Sequence, residues 1–201
     1  MPIRRTRAAP LLLALAGSAL AAPAGAQDWF EHPFGELRSY HLDWLAICAD
    51  TGAGPCRVVY SAADIGSGAA FDRRLTLRYD EAAGTWMPEV MDRGMPESGL
   101  RRLAFVFDGD TTVLALPTAY MPGEAGTADA LGRTAEVAET VSITDPDLAA
   151  RLNDEMRAGR TLAVRYLPLG TGDGVAEFSL RGVRAAQAAV ESHVAKRKGD
   201  G

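Results

Sequence analysis

Hydrophobic and polar positions alternate with a period of two along much of this chain, and turn residues break the alternation at short intervals. Trp44, Ile47 and Cys48 lead into Asp50, Thr51, Gly52, Gly54 and Pro55, and Cys56, Val58, Val59 and Tyr60 lead out, which predicts a β-hairpin. Leu75, Leu77 and Tyr79 alternate with Thr76 and Arg78 up to a turn at Asp80, Glu81 and Gly84, and Trp86 to Met91 reads as the return strand. After a polar stretch from Asp92 to Gly99, Leu103 to Phe107 turns at Asp108, Gly109 and Asp110 and comes back as Val113 to Leu116, since Asp-Gly tolerates the positive φ of a tight hairpin. Thr161 to Leu167 and Val175 to Leu180 predict a further hairpin across the glycine-rich tip Gly170 to Gly174, and Glu136 to Ile143 is another strand candidate.

Two segments switch to a helical period. Thr144 or Asp145 caps a helix with Pro146 in its first turn, Leu148, Leu152 and Met156 on one face, and Gly159 at its end. From Val183, the positions Val183, Ala186, Val190 and Val194 describe an amphipathic C-terminal helix. Pro117 to Arg133 lacks periodicity and reads as a long loop or insertion. The expected fold class is therefore mainly β, made of antiparallel hairpins with one mid-chain helix and a C-terminal helix.

The N-terminus changes the picture. Arg4, Arg5 and Arg7 precede an apolar run from Ala8 to Ala22 and the small residues Ala24, Gly25 and Ala26, the pattern of a secretory signal peptide cleaved before Gln27. The expected organisation is a signal peptide over 1–26, an N-terminal extension over 27–39, a single domain over 40–195 and a basic flexible tail over 196–201. The whole chain has a formal charge of −5, and loss of the three arginines makes the exported part more acidic. Such a protein has no electrostatic reason to bind nucleic acid or an anionic membrane, and stable membrane insertion after cleavage is not expected. The expected location is the periplasm, with secretion or surface association as extensions of it.

Export also decides how the cysteines are read. Seven residues separate Cys48 from Cys56, and two cysteines in an oxidising compartment across a strand, a turn and a strand point to a structural disulfide. The spacing is not the C-x-x-C of a redox pair, and His32, His41 and His193 add no recognisable metal-ligand spacing. No cofactor is expected. Gly66-Ser67-Gly68 lacks the spacing of a nucleophile elbow, and the carboxylate pairs Asp108/Asp110 and Asp145/Asp147 read as turn and cap chemistry rather than as cation ligands. Surface residues remain as the candidate site: Trp29, Phe30 and Phe34 in an aromatic cluster after the cleavage point, expected to tuck onto the sheet as an extra strand or to stay exposed for a partner, and Tyr120 and Met121 in the loop.

The run from His41, Leu42, Asp43 and Trp44 to Cys48, the second cysteine, the segment Gly159 to Tyr166 and the segment Phe178 to Gly182 followed by an alanine-rich helix resemble the invasion-associated locus B family of exported bacterial proteins. The resemblance implies a β-sandwich of immunoglobulin-like architecture with short helices. The family is named for a role in host-cell entry, and many members look as if they carry a second cysteine pair between the middle strands and the first helix, where the corresponding Ala119 to Arg133 has none. The expected function is that of a non-enzymatic envelope protein that binds an envelope or host protein. A small hydrolase, using a pocket around His41 or the aspartate pairs, and a small-molecule carrier, using the space between the sheets, are the alternatives.

Overall fold

In the computed structural model, which describes residues 28–64, 71–95, 102–122, 140–167 and 175–199, the alternating segments form two antiparallel sheets packed as a β-sandwich. The signal-peptide segment, Gly66 to Gly68 and the Gly170 to Gly174 tip lie outside the described residues. The larger sheet contains β1 (Phe30–His32), β2 (Glu36–His41), β3 (Trp44–Cys48), β4 (Cys56–Ala62), β5 (Arg73–Asp80), β6 (Thr85–Asp92), β9 (Tyr120–Pro122) and β10 (Thr140–Ile143). The smaller is built from β7 (Arg102–Phe107), β8 (Thr111–Ala115), β11 (Thr161–Leu167) and β12 (Val175–Ser179). Their strand orders are β1-β2-β3-β4-β5-β6-β10-β9 and β12-β11-β7-β8.

The period of two decides which face is buried. Trp44, Ala46 and Cys48 of β3, Cys56 and Val58 of β4, Leu75 and Leu77 of β5, and Trp86 and Val90 of β6 point inward. They share one core with Leu103, Phe105 and Phe107 of β7 and Leu162, Val164 and Tyr166 of β11. Burying each leucine of this set contributes about 1.5–3 kcal/mol. Ion pairs cross the other face of the large sheet, from Arg57 to Glu36 at 2.7 Å and from Arg78 to Glu89 at 3.5 Å.

Two helices complete the inner side. In α1 (Pro146–Ala158) the Asp145 side chain accepts from Leu148 N–H at 2.8 Å, so the expected cap forms, and Leu152 and Met156 enter the core. In α2 (Val183–Gly199) Val183, Ala186, Val190 and Val194 are buried. Polar side chains join the helices to β6. Asn153 donates to Trp86 O at 2.7 Å, Gln187 donates to Asn153 at 3.2 Å, and Arg157 and the Trp86 indole both donate to Glu191. This network satisfies the polar atoms that the helices bring against an apolar face.

Three sequence expectations are corrected. The 27–39 extension is part of the domain: Phe30–His32 and Glu36–His41 are strands of the large sheet, pairing Phe30 with Arg38 and Leu37 with Cys48. The start of the Pro117–Arg133 loop is a 3-10 turn, Pro117–Ala119, followed by β9, whose Tyr120 pairs with Ile143; residues 123–139 lie outside the description, and the strand expected from Glu136 is described from Thr140. Its order comes from tertiary partners that periodicity cannot report, since Ala119 O accepts from both Thr144 and Asp145.

The third correction concerns the basic tail, whose residues 196–199 are the last turn of α2, while 200–201 lie outside the description. Arg197 donates to Gly52 O at 2.7 Å and Gly54 O at 3.0 Å and pairs with Glu81, while His193 Nε2 donates to Gly52 O at 2.9 Å. The turn between β3 and β4 ends in carbonyls that need donors, and α2 supplies them. An Arg197→Ala variant is expected to lose about 1–3 kcal/mol, read as a lower urea midpoint with an unchanged slope. A solvated, frayed tail would show no change.

Candidate functional site

The two cysteines sit directly opposite each other on β3 and β4 and are joined, with Cα atoms 4.1 Å apart. Both are buried. A thiolate cannot reach a sulfur inside the core, so the bridge is placed as a staple and not as an exchange site.

The five candidate surface residues do not converge. Tyr120 is buried and Met121 exposed on β9, at one edge of the large sheet, whereas Trp29, Phe30 and Phe34 belong to the opposite edge at β1. Trp29 tucks in, packing on the His193 ring at 5.1 Å between centroids. The backbone of β1 joins the sheet, yet its aromatic side chains stay outside it. Phe30 is 39% and Phe34 80% exposed.

Sequence reasoning missed two members of this surface. Tyr40, 52% exposed, stacks on Phe30 with centroids 5.8 Å apart, and Leu42, 71% exposed, caps the β2–β3 turn. Arg38 lies over the Phe34 ring at 5.7 Å, and His32 meets the same ring edge-on at 4.6 Å. Because Phe30 is the cross-strand partner of Arg38, and Tyr40 lies two residues further along, all three stand on one face. The available signal was the alternation Glu36, Arg38, Tyr40, which assigns Tyr40 to the side away from Leu37.

Two of the four aspartates weighed for chemistry are held by backbone N–H groups. Asp108 accepts from the backbone N–H of Arg160 at 2.9 Å and of Thr161 at 2.8 Å, tying the β7–β8 turn to β11, and Asp145 caps α1. Among the described residues no group of three or more His, Cys, Asp or Glu side chains could hold a metal ion. His41 lies within 3.1 Å of Ser39 Oγ, and Ser39 is 0% exposed, so its hydroxyl is out of contact with solvent.

These contacts also set the response to pH. For Glu36, burial alone would raise the pKa, but hydrogen bonds and charge from Arg38 and Arg57 outweigh it and hold the carboxyl low. The N–H groups of Arg160 and then Thr161 lower Asp108, and burial lowers His41. In all three the unfolded protein binds more protons, so stability is full above the unfolded pKa and lost as pH falls through the folded one. Tyr166 runs the other way: burial, then the charge and hydrogen bond of Asp92 at 2.7 Å, push its hydroxyl up. Urea midpoints should therefore fall below the ordinary histidine value of 6.5, fall further below the ordinary glutamate value of 4.5, and fall again above the ordinary tyrosine value of 10.0. A midpoint that rose on moving from neutral to acid would contradict the His41 assignment.

No family model matches the sequence, and no curated protein matches it. Among solved structures it is similar to the crystal structure of invasion associated protein B from Bartonella henselae, at 15% identity and a TM-score of 0.48, over 81% of this chain and 99% of that one. The similarity is one of backbone trace, and it brings no site residue with it.

Proposed function

We propose that this protein is an exported, non-enzymatic envelope protein that binds an envelope or host protein through the aromatic edge of its larger sheet. The observation that carries this reading is the group Phe30, Phe34, Tyr40 and Leu42, four large apolar side chains held in or beside the edge strand β1 and its neighbour β2 and left in contact with solvent. Aromatic side chains presented on a rigid support, with an arginine among them, are the composition of interface hot spots. The leader-like segment at the N-terminus and the buried disulfide support an oxidising compartment.

The test is capture from the envelope fraction by the mature protein, alongside a Phe34→Ser/Tyr40→Ser variant. Both positions are exposed, so the variant should keep the thermal midpoint of the parent while binding falls about tenfold or more. A partner recovered equally by both proteins, or no partner from the envelope, would sink the reading.

A further inference from the structure

Among the described residues β12 pairs only with β11, and it forms one edge of the smaller sheet. The direction of its backbone groups follows from the register. Leu180 donates its N–H to Arg160 O at 2.8 Å, which makes these two a hydrogen-bonded pair. In an antiparallel ladder such pairs alternate with pairs whose backbone groups point apart. Leu162/Phe178 and Val164/Ala176 therefore bond across the ladder, while Thr161/Ser179, Ala163/Glu177 and Arg165/Val175 do not. Two independent bonds agree: the Asp108 backbone N–H donates to Thr161 O at 3.1 Å on the side away from β12, and the Trp44 indole donates to Ser179 O at 2.9 Å from beyond the edge. It follows that the N–H and C=O of Glu177 point out of the sheet, and no described residue meets them.

An open cleft of about 560 Å³ lies along this edge. Its lining includes Glu177 and Phe178 of β12, Tyr60 and Arg73 of the larger sheet, and Ala163 and Arg165 of β11. The Tyr60 ring rests edge to face on the buried Phe178 ring, with centroids 6.1 Å apart, and with Ala62, Val106 and Ala163 it gives the cleft an apolar face. Arg73 pairs with Asp64, and Arg165 makes no ion pair among the described residues. Two guanidinium groups thus line one cleft in a protein of formal charge −5.

We propose that this cleft takes an extended peptide segment bearing one carboxylate, which adds a strand to β12 through the N–H and C=O of Glu177. An unpaired edge donor and acceptor give the affinity in this mode of recognition, and side-chain pockets give the choice of sequence. Three extended residues span about 10 Å. The half-buried Tyr60, Val106 and Ala163 receive an apolar side chain. Arg165, with Arg73, receives the carboxylate in a charge-assisted pair, and the Glu177 side chain repels a second acid placed beside it. The carboxylate can belong to an acidic residue or to the C-terminal end of the peptide. This site shares no residue with the aromatic edge, so either assignment can fail without the other.

The test is an NMR titration of the ¹⁵N-labelled mature protein with three peptides: acetyl-Thr-Val-Thr-Val as the free acid, the same peptide as its amide, and acetyl-Thr-Val-Asp-Val amide. Saturable shifts of the Val175, Ala176 and Glu177 amides are expected with at least one of the two carboxylate-bearing peptides, and which of them binds tells a terminal carboxylate from an aspartate. The neutral amide, the best peptide with N-methyl groups at alternate positions, and the Arg165→Ala protein should each bind about tenfold more weakly or worse. Arg165 is exposed, so the variant should melt with the parent. No saturable shift at millimolar peptide, or binding indifferent to N-methylation or to Arg165→Ala, would overturn the assignment, as would shifts confined to Phe34 and Tyr40.

Discussion

A Gly182→Ala variant is expected to lose about 4 kcal/mol or more, enough to lower the melting temperature by roughly 10–15 °C in a domain of this size. Gly182 joins β12 to α2 and its carbonyl accepts the first helical bond, from Ala186 N–H at 2.9 Å. Its φ is +99°, and a Cβ placed there would lie 2.0 Å from the backbone oxygen of His41 and 3.1 Å from Leu42 Cβ. Neither neighbour can move freely. His41 is within β2, whose register with β3 is fixed, and the β2–β3 turn is docked on the same joint by the Asp43 N–H bond to Arg181 O at 3.3 Å. Gly109 separates the two causes, because its φ is +82° but a Cβ there would meet nothing within 4 Å. Gly109→Ala should therefore cost only the positive-φ term, about 1–2 kcal/mol. Equal losses at the two sites, by urea or thermal unfolding, would show that the close approach at Gly182 is relaxed in solution.

The same joint marks where sequence reasoning stopped. The hairpins, the Asp145 cap, the α2 stripe and the cysteine pairing were legible because each is decided by residues within one or two turns or strands of one another. Gly182 could be seen as part of a short pattern, but its reason, the passage of the turn at His41 and Leu42, is a long-range fact. The strands β1 and β9 are three residues each. Periods cannot be counted over so short a run, and such strands exist because a partner strand offers its edge. Helical period picks out the apolar stripes of α1 and α2 but not their buried polar members, Asn153 and Gln187, each of which has its hydrogen-bond partner on the other helix or on β6. The aromatic surface was half legible. Composition singled out Phe30 and Phe34, while Tyr40 and Leu42 joined them only once β1 had been laid beside β2. The edge of β12 is a matter of hydrogen-bond parity, which no residue type encodes.

Replacing both cysteines, as Cys48→Ala/Cys56→Ala, is expected to destabilise the protein by about 3.5–4.5 kcal/mol. The bridge joins residues eight apart in sequence, and in the chain-entropy account a loop of that size contributes about 2.6 kcal/mol by restricting the unfolded state. The sulfurs are also core atoms, buried beside Ala46 and Val58, so each truncation adds a packing loss of about 0.5–1 kcal/mol. The turn that the bridge closes is strained in its own right, with Asp50 and Thr51 both at positive φ, and it carries the Gly52 and Gly54 carbonyls that receive Arg197. Loosening it should therefore weaken the hold on the end of α2, and the cysteine and Arg197→Ala losses should fall short of additive when combined. The discriminating measurement is a double-mutant cycle on urea midpoints, together with binding to the envelope fraction at a temperature where every variant is folded. If the disulfide is a staple, stability falls and binding per folded molecule is retained. Full stability without the cysteines, or loss of binding in a fully folded variant, would mean that the sulfurs themselves take part in what this protein does.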